Sequence, residues 1–493
     1  MPGMHTRHER FDSVIIGSSQ AGDKLAIDLA RAGLRVALVY GHAQQGDACV
    51  DSGCGPSRPL LASANVARVA RTAADFGVET GDVAVNFGKV QLRKQAVVDR
   101  LRSKAMQVLS NTPRLTVIRG DPEFESARVV RVQELAGDAV LELQSPRIIV
   151  NTGARPALPG LPGLAAVPYL TSSSATDVDE LPQHLLVLGG SYLGVEFAQM
   201  FRRFGSRVSI IERQSQLLAR EDRDIAAAVA QTLREDGVEV FLETEAVGVV
   251  NDPAGGVRLK VRTPSGRHDM PGSRLLVVAG HEPNTQGLNL RAAGVAVDSN
   301  GYIRVNERLE TTAVGVYALG VVNGGPAFPH VAYDDVRVIR DNILENAQAT
   351  TARRTCPYTA FINPPLGRIG LTQAQAREQG RTVKVAKMPM SRTERAAELS
   401  ESRGLMKVLI DSGTDRIIGA AVFGVDSAEI IGMLQIAMIA DLPYTALRDS
   451  MSAHPTLVGS LNNLFAALES CKPLKMENTH EPANIPDRHQ GVA

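Results

Sequence analysis

One strand–turn–helix–strand pattern occurs twice, about 170 residues apart, and this repeat constrains the fold more than any other feature. Residues 11–39 read FDSVIIGSSQAGDKLAIDLARAGLRVALV: an apolar strand, a turn of small residues, a helix with apolar spacing and a second strand. Residues 185–212 repeat the plan as LLVLGGSYLGVEFAQMFRRFGSRVSIIE. A glycine-rich turn of this kind lets the backbone approach a pyrophosphate at a helix N-terminus. The repeat predicts an α/β fold with two doubly wound dinucleotide-binding domains.

Both turns depart from the pattern GxGxxG at the middle position, where serine replaces glycine. Serine is small and its hydroxyl can bond a phosphate, so we expect weaker binding rather than none. The residues predicted to line the two phosphate sites are Gly17, Ser19 and Gly22 in the first turn, and Gly189, Ser191 and Gly194 in the second.

The two units differ in the residue that ends their second strand. Glu212 ends the strand of the second unit, where a carboxylate accepts hydrogen bonds from a ribose and repels a 2′-phosphate. NADH is therefore the expected coenzyme, although the adjacent Arg213 leaves NADPH open. In the first unit Tyr40 holds this place, and a phenol offers only a neutral bond.

Two cysteines, Cys49 and Cys54, have four residues between them in GDACVDSGCGPSR. The chain has 4 cysteines in 493 residues, too few for a disulfide scaffold.

Lys plus Arg and Asp plus Glu each number 53, which gives no support for a nucleic-acid partner. The sequence contains no run of 18 apolar residues, the length that would predict a membrane span. A cytoplasmic protein is therefore expected.

Together the motifs resemble the class I pyridine nucleotide–disulfide oxidoreductases, such as dihydrolipoamide dehydrogenase, glutathione reductase and mercuric reductase. The motifs occur in the family's order: GSSQAG, CVDSGCGPSR, TGARP at 152–156, GGSYLGVEFA, AGHEPNT at 279–285, VGVYALG at 314–320 and AHPTL at 453–457. The resemblance implies FAD, NADH or NADPH, and a homodimer.

The resemblance also implies roles for single residues. Cys49 would be the interchange thiol, and Cys54 the thiolate that faces the flavin. His454 would be the acid–base residue, supplied across the dimer interface. Arg58 would lie beside the flavin with Glu196 as its ion-pair partner, and the remaining cofactor contacts would include Tyr192 as the gate of the nicotinamide pocket, with Gly120, Thr152, Gly153, Gly280 and Gly320.

Three departures from the family's sequence pattern leave a second functional hypothesis open. The family's flavin-binding aspartate is replaced by Val321, its histidine-orienting glutamate by Gly459, and its lysine by Arg58. One hypothesis is a reductase that passes electrons through a Cys49–Cys54 disulfide to a small disulfide or other acceptor. The alternative is a degenerate relative with weak or no FAD that acts as a binding or regulatory homodimer. No metal site is predicted, and mercury reduction is disfavoured because no terminal cysteine pair is present.

The resemblance and the composition shifts together divide the chain. We expect an FAD domain over residues 1–160 and 287–350, an NAD(P) domain over 161–286, a mixed α/β dimerisation domain over 356–472, and a disordered tail over 473–493.

Overall fold

The first doubly wound unit is built on an eight-stranded sheet. The computed structural model describes residues 6–41, 54–135 and 139–470, apart from the side chains of Cys54, Glu469 and Ser470. The strands are β1 (Thr6–Arg10), β2 (Ser13–Ile16), β3 (Val36–Tyr40), β4 (Leu115–Ser126), β5 (Val129–Glu134), β6 (Val140–Gln144), β7 (Ile148–Val150) and β18 (Val316–Ala318). They lie in the order β1-β6-β5-β4-β3-β2-β7-β18, and the last five of these are parallel.

Helices cover the central part of this sheet because β2, β3 and β7 are apolar on both faces. The helices of this unit are α1 (Gln20–Arg31), α2 (Cys54–Arg71), α3 (Phe87–Ser110) and α6 (Pro329–Glu345). Ile15 packs with α1 and α6 on one face, whereas Val14 and Ile16 pack in a separate cluster on the other. This period-2 division is what buried parallel strands require.

The second unit is a five-stranded parallel sheet that carries the second glycine-rich turn. It contains β9 (Tyr169–Thr171), β10 (His184–Leu188), β11 (Arg207–Ile211), β12 (Glu239–Phe241) and β16 (Arg274–Val277), in the order β12-β11-β10-β16-β9. Its helices are α4 (Tyr192–Phe204) and α5 (Arg223–Glu235). An antiparallel sheet of β13 (Glu245–Asn251), β14 (Val257–Thr263) and β15 (Gly266–Gly272) packs beside it, and the antiparallel pair β8 (Ala154–Pro156) and β17 (His281–Pro283) joins the two units.

The C-terminal unit is a five-stranded antiparallel sheet with helices. Its strands are β19 (Tyr358–Ala360), β20 (Leu366–Gly370), β21 (Val383–Pro389), β22 (Leu405–Asp411) and β23 (Ile417–Phe423), in the order β19-β20-β23-β22-β21. Its helices are α7 (Gln373–Glu378), α8 (Glu394–Glu398), α9 (Ser427–Ile439), α10 (Tyr444–Arg448) and α11 (Ser460–Ala466).

The predicted fold class, two doubly wound units followed by a mixed α/β unit, is confirmed. Over the described ranges, none of the helices combines the length and apolar character that crossing a bilayer would require. The expected tail at 473–493 lies outside the described residues.

Candidate cofactor and redox site

The first glycine-rich turn forms a backbone cradle at the start of α1. Gly17 has φ +103°, and a side chain there would collide with the carbonyl oxygen of Asn151. The Ser19 hydroxyl accepts from the Gly22 N–H (3.2 Å) and from Asn151 Nδ2 (2.7 Å). Within the described residues its own hydrogen has no acceptor, so it can point at a phosphate oxygen.

Three motifs that lie far apart in the sequence meet at the carboxyl ends of β2, β7 and β18. Gly17 follows β2, Thr152 follows β7, and Gly320 follows β18. Thr152 is 2% exposed, and its Oγ1 has no hydrogen-bond partner in the described part of the chain. A buried hydroxyl without a partner beside a backbone cradle fits a bound pyrophosphate group.

At the flavin end of this site, Val321 stands where an aspartate was expected. Gly320 donates its N–H to Asp335 Oδ2 at 2.8 Å, and the other carboxylate oxygen of Asp335 pairs with Arg354 at 2.6 Å. Asp335 is 1% exposed and fully engaged, so it does not replace the missing aspartate. Val321 is half-buried and offers no hydrogen-bonding group.

Asp23, in the first turn of α1, adds a half-buried acid next to this cradle. Ser18 Oγ donates to Asp23 Oδ1 at 2.8 Å. Burial raises the pKa of Asp23 to about 6, against the lowering effect of the Ser18 hydrogen bond.

A carboxylate from the neighbouring strand, which the sequence analysis did not identify, lies beside the end of β3. Tyr40 is 8% exposed, and its hydroxyl accepts from Arg119 Nε at 3.0 Å. Asp121, on the neighbouring strand β4, lies so close to Gly41 that a side chain at position 41 would collide with its Oδ1. An acid therefore stands at this edge of the sheet, although it comes from β4 instead of β3. Gly120, before Asp121, is tightly packed against β5, where a Cβ would meet Val132 and Gln133.

The second glycine-rich turn holds its acid by backbone hydrogen bonds. Gly189 has φ +116°, and a Cβ there would lie 2.7 Å from the Val278 carbonyl oxygen. Glu212 Oε2 accepts from the Gly190 N–H at 2.7 Å, and its Oε1 accepts from the Gln214 N–H at 2.8 Å. The carboxylate is thereby fixed beside the turn, where it can accept from a ribose hydroxyl and repel a 2′-phosphate.

The other predicted residues of this turn open α4. Ser191 is the N-cap residue and makes no side-chain capping hydrogen bond, and Gly194 packs against the Gly189 carbonyl. Gly153 and Gly280 lie apart from the turn, next to the β8–β17 pair that joins the two units: Gly153 O accepts from Asn284 N, and Gly280 O from Ala157 N, each at 3.0 Å.

Tyr192, the predicted gate, is held by hydrogen bonds to its hydroxyl. The oxygen lies 2.8 Å from Glu221 Oε1 and 2.7 Å from the Tyr358 hydroxyl. Burial, followed by the Glu221 charge, raises the pKa of Tyr192, so the phenol is neutral at physiological pH. Its ring packs edge-on to the Tyr358 ring with centroids 5.1 Å apart.

Arg58 and Glu196 lie together where α2 of the first unit meets α4 of the second. Arg58 Nη1 is 3.5 Å from Glu196 Oε1, and the guanidinium stacks 3.6 Å above the Phe361 ring. The Phe361 N–H also donates to Glu196 Oε1 at 2.6 Å. Burial raises the pKa of Glu196, and the Arg58 charge opposes that effect. The pair connects α2, which begins at Cys54, to α4, which follows the second glycine-rich turn.

The predicted thiols fall where the structure gives no side-chain position. Cys49 lies outside the described residues, and for Cys54 only the backbone at the start of α2 is described. In the described part of the chain, no group of three or more His, Cys, Asp or Glu side chains is arranged to hold a metal ion.

His454 lies before α11 on the surface of the C-terminal unit, with its side chain 74% exposed. Its Nε2 is 3.0 Å from Glu394 Oε2. The sequence showed no orienting acid for His454, because Gly459 occupies the expected place and Glu394 is 60 residues away. No local sequence signal could have found this pair.

Known proteins match the chain along most of its length. Residues 11–335 match the family described as pyridine nucleotide-disulphide oxidoreductase, and residues 356–464 match that family's dimerisation domain. The probable pyridine nucleotide-disulfide oxidoreductase RclA of Escherichia coli is 37% identical over 463 residues, covering 93% of this chain and 100% of RclA. A dihydrolipoyl dehydrogenase of Bacillus subtilis is 30% identical, covering 93% and 98%. A mercuric reductase of Streptomyces lividans is also 30% identical, covering 92% and 95%.

A solved structure also matches in three dimensions. It is described as the Cu(II) complex of the HOCl-induced flavoprotein disulfide reductase RclA from Escherichia coli. The TM-score is 0.84 at 36% identity, over 93% of this chain and 100% of that one.

Proposed function

The chain belongs to the pyridine nucleotide-disulphide oxidoreductase family, and on that premise we propose that it passes electrons from NADH through FAD and a Cys49–Cys54 disulfide to a small disulfide. It is an oxidoreductase with FAD and NAD(P)H as cofactors. The observation that carries the proposal is the Arg58–Glu196 pair, which joins α2, the helix that begins at Cys54, to α4, the helix that follows the second glycine-rich turn.

The first unit would hold FAD, which when bound supplies a group that accepts two electrons and delivers them to a disulfide. Its pyrophosphate would meet the Gly17–Gly22 cradle, the Ser19 hydroxyl and the unpartnered Thr152 hydroxyl. The Asp121 carboxylate would accept from the ribose hydroxyls in place of the acid absent at position 40. Val321 supplies nothing to the flavin chain, so fewer polar contacts hold that end.

The second unit would bind NADH in preference to NADPH. Support comes from Glu212, whose two oxygens are fixed by the Gly190 and Gln214 N–H groups. Tyr192 would cover the nicotinamide pocket, with its hydroxyl held by Glu221 and Tyr358.

The thiol step would use both subunits of a homodimer. The reduced Cys49 thiolate attacks one sulfur of the substrate disulfide, and the leaving sulfur takes a proton from His454 of the other subunit. The Cys54 thiolate then attacks the Cys49 sulfur and the internal disulfide re-forms, while the second substrate sulfur leaves as a thiolate that takes a proton from water. Support for a dimer comes from the matched dimerisation domain and from exposed apolar side chains on α9, Ile436 (64%) and Ile439 (67%).

The domain limits we propose are those expected from the sequence: FAD domain at 1–160 and 287–350, NAD(P) domain at 161–286 and dimerisation domain at 356–472. A cytoplasmic location is proposed as well, because a reduced dithiol and an NADH supply both belong to that compartment.

The test is to trap thiols after anaerobic mixing with NADH. One equivalent of NADH should make Cys49 and Cys54 alkylatable together, and Cys49→Ser should abolish this change. NADH consumption that leaves both thiols blocked would contradict the electron path. A protein that neither binds FAD nor consumes NADH would favour the binding or regulatory alternative.

Cu(II) is a second candidate acceptor, because the similar Escherichia coli protein is described as a Cu(II) complex. Two Cu(II) ions would accept the two electrons of one NADH. Faster NADH oxidation with Cu(II) than with alkyl disulfides would favour this acceptor.

A further inference from the structure

The acid that His454 lacks in its own motif is supplied from another element. Gly459 stands where the family pattern has a glutamate, yet the Glu394 carboxylate lies 3.0 Å from His454 Nε2. Among the described residues, this is the carboxylate that pairs with the His454 ring.

We propose that Glu394 is the positioning residue for His454 in the thiol–disulfide step, an inference that rests on the function proposed above. Glu394 opens α8 and is preceded by Thr393, which is 2% exposed and donates its hydroxyl hydrogen to Met390 O at 2.8 Å. The backbone of Glu394 therefore belongs to a fixed element of the same subunit as His454, and its carboxylate, on a side chain that is 73% exposed, would enter the partner's site together with the ring.

The contact bears on which nitrogen does the chemistry. A carboxylate 3.0 Å from Nε2 can only accept a hydrogen, so it favours the ring form that keeps its hydrogen on Nε2. The lone pair of the neutral ring then lies on Nδ1, which is the nitrogen that takes or returns a thiol proton. Without the carboxylate, both the tautomer and the ring orientation are less restricted, and an unoriented base is a slower one.

A carboxylate introduced at position 459 could replace the one removed at Glu394. Gly459 has φ −59° and ψ −26°, which any residue can adopt. A Cβ added there would meet its nearest oxygens, from Ala453 and Thr456, at 3.4 Å, an ordinary contact distance. Gly459→Glu can therefore return a carboxylate from the other side without rebuilding the backbone.

The experiment reduces the oxidised full-length protein with dithiothreitol and counts free thiols by alkylation, so it needs neither flavin nor the natural acceptor. One thiol gives its proton to His454, its sulfur attacks Cys49, and the Cys49–Cys54 bond breaks towards Cys54, which takes a proton from water. The second thiol loses its proton to water and closes the dithiane ring. Cys49 leaves with the proton held by His454.

Glu394→Gln should slow this reaction by roughly 10-fold, less than the loss of the acid–base group itself. In a His454→Gln background the same change should have no further effect, because Glu394 acts only through the ring. Adding Gly459→Glu to Glu394→Gln should restore most of the rate. Glu398→Gln, one turn along α8 and paired with Arg395, is the matched control and should react like the unmodified protein.

An unchanged rate in Glu394→Gln, or a loss that adds fully to that of His454→Gln, would overturn the proposal. Failure of the proposed function looks different. In that case NADH would leave the thiols oxidised while the dithiothreitol series still showed the dependence on Glu394.

Discussion

Asp121 is the residue on which we expect the adenosine end of the flavin site to depend most. Tyr40 contributes a phenol already bonded to Arg119, whereas Asp121 brings a carboxylate to the same strand ends. The substitution Asp121→Asn keeps the shape of the side chain and removes its negative charge. Because a hydrogen bond to a charged group contributes about 1.5–3 kcal/mol, FAD affinity should fall roughly 10- to 100-fold.

Flavin fluorescence titration measures this change. Glu123→Gln, two residues along β4 and exposed, is the control and should bind FAD like the unmodified protein. Equal affinities for the two variants would remove Asp121 from the site.

Asp23 should make stability depend on pH. Its pKa is about 6 in the folded chain against 3.8 ordinarily, because burial opposes ionisation. Below pH 3.8 both states hold the proton and the residue costs nothing. As pH rises towards 6 the unfolded chain loses its proton first, so folded-state stability falls by roughly 3 kcal/mol in total, then stays level.

Asp23→Asn should therefore gain stability over the unmodified protein between about pH 4 and 6, with a constant advantage above that range. Urea unfolding across pH measures it. A difference between the two proteins that is the same at every pH would show that Asp23 is not the titrating group.

Some site residues could be predicted from the sequence and others could not. Glu212 was predictable because it belongs to the same βαβ unit as its turn. Asp121 and Glu394 were not, since the first reaches its place through the pairing of β3 with β4 and the second through the folding of the C-terminal unit. Spacing along the chain contains no information about either contact.

Among the elements, α5 and β22 form a buried ionic contact between the nicotinamide unit and the C-terminal unit. Lys407, 4% exposed on β22, lies 2.9 Å from Asp222 and 3.1 Å from Asp224 at the start of α5. Acids at a helix N-terminus are favourable, and here they also neutralise a buried cation.

Lys407→Met should lower the free energy of unfolding by about 3 kcal/mol, because buried Asp222 loses its cation. Lys384→Met, on the adjacent strand β21, breaks an exposed pair with Asp415 and should cost less than about 1 kcal/mol. Urea denaturation distinguishes the two, and equal costs would show that burial of the pair is unimportant.

Element prediction failed where the pattern was polar or broken. β1 is missed because TRHER is charged and mostly exposed, yet it pairs in parallel with β6 at the sheet edge. Between positions 54 and 110 the chain forms two helices, α2 and α3, separated by residues 72–86. The apolar strands and glycine turns were predictable because local chemistry alone specifies them.

At the scale of the whole molecule, the proposed chemistry requires two copies of the chain. Changing both Ile436 and Ile439 to Glu should place charges on the exposed face of α9 and leave a particle near 52.6 kDa instead of about twice that mass. Light scattering measures the mass. The monomer should keep FAD and NADH binding but lose disulfide reduction, because His454 would be absent from the site. Val314→Glu, also on an exposed apolar residue, should stay dimeric.

The central claim is that this chain still binds FAD next to the helix that begins at Cys54. The most direct measurement is the visible spectrum of the purified protein, taken before and after anaerobic NADH. We expect one bound flavin per chain, then bleaching and a long-wavelength band that disappears in Cys54→Ser. A colourless protein that takes up no added FAD would contradict the account.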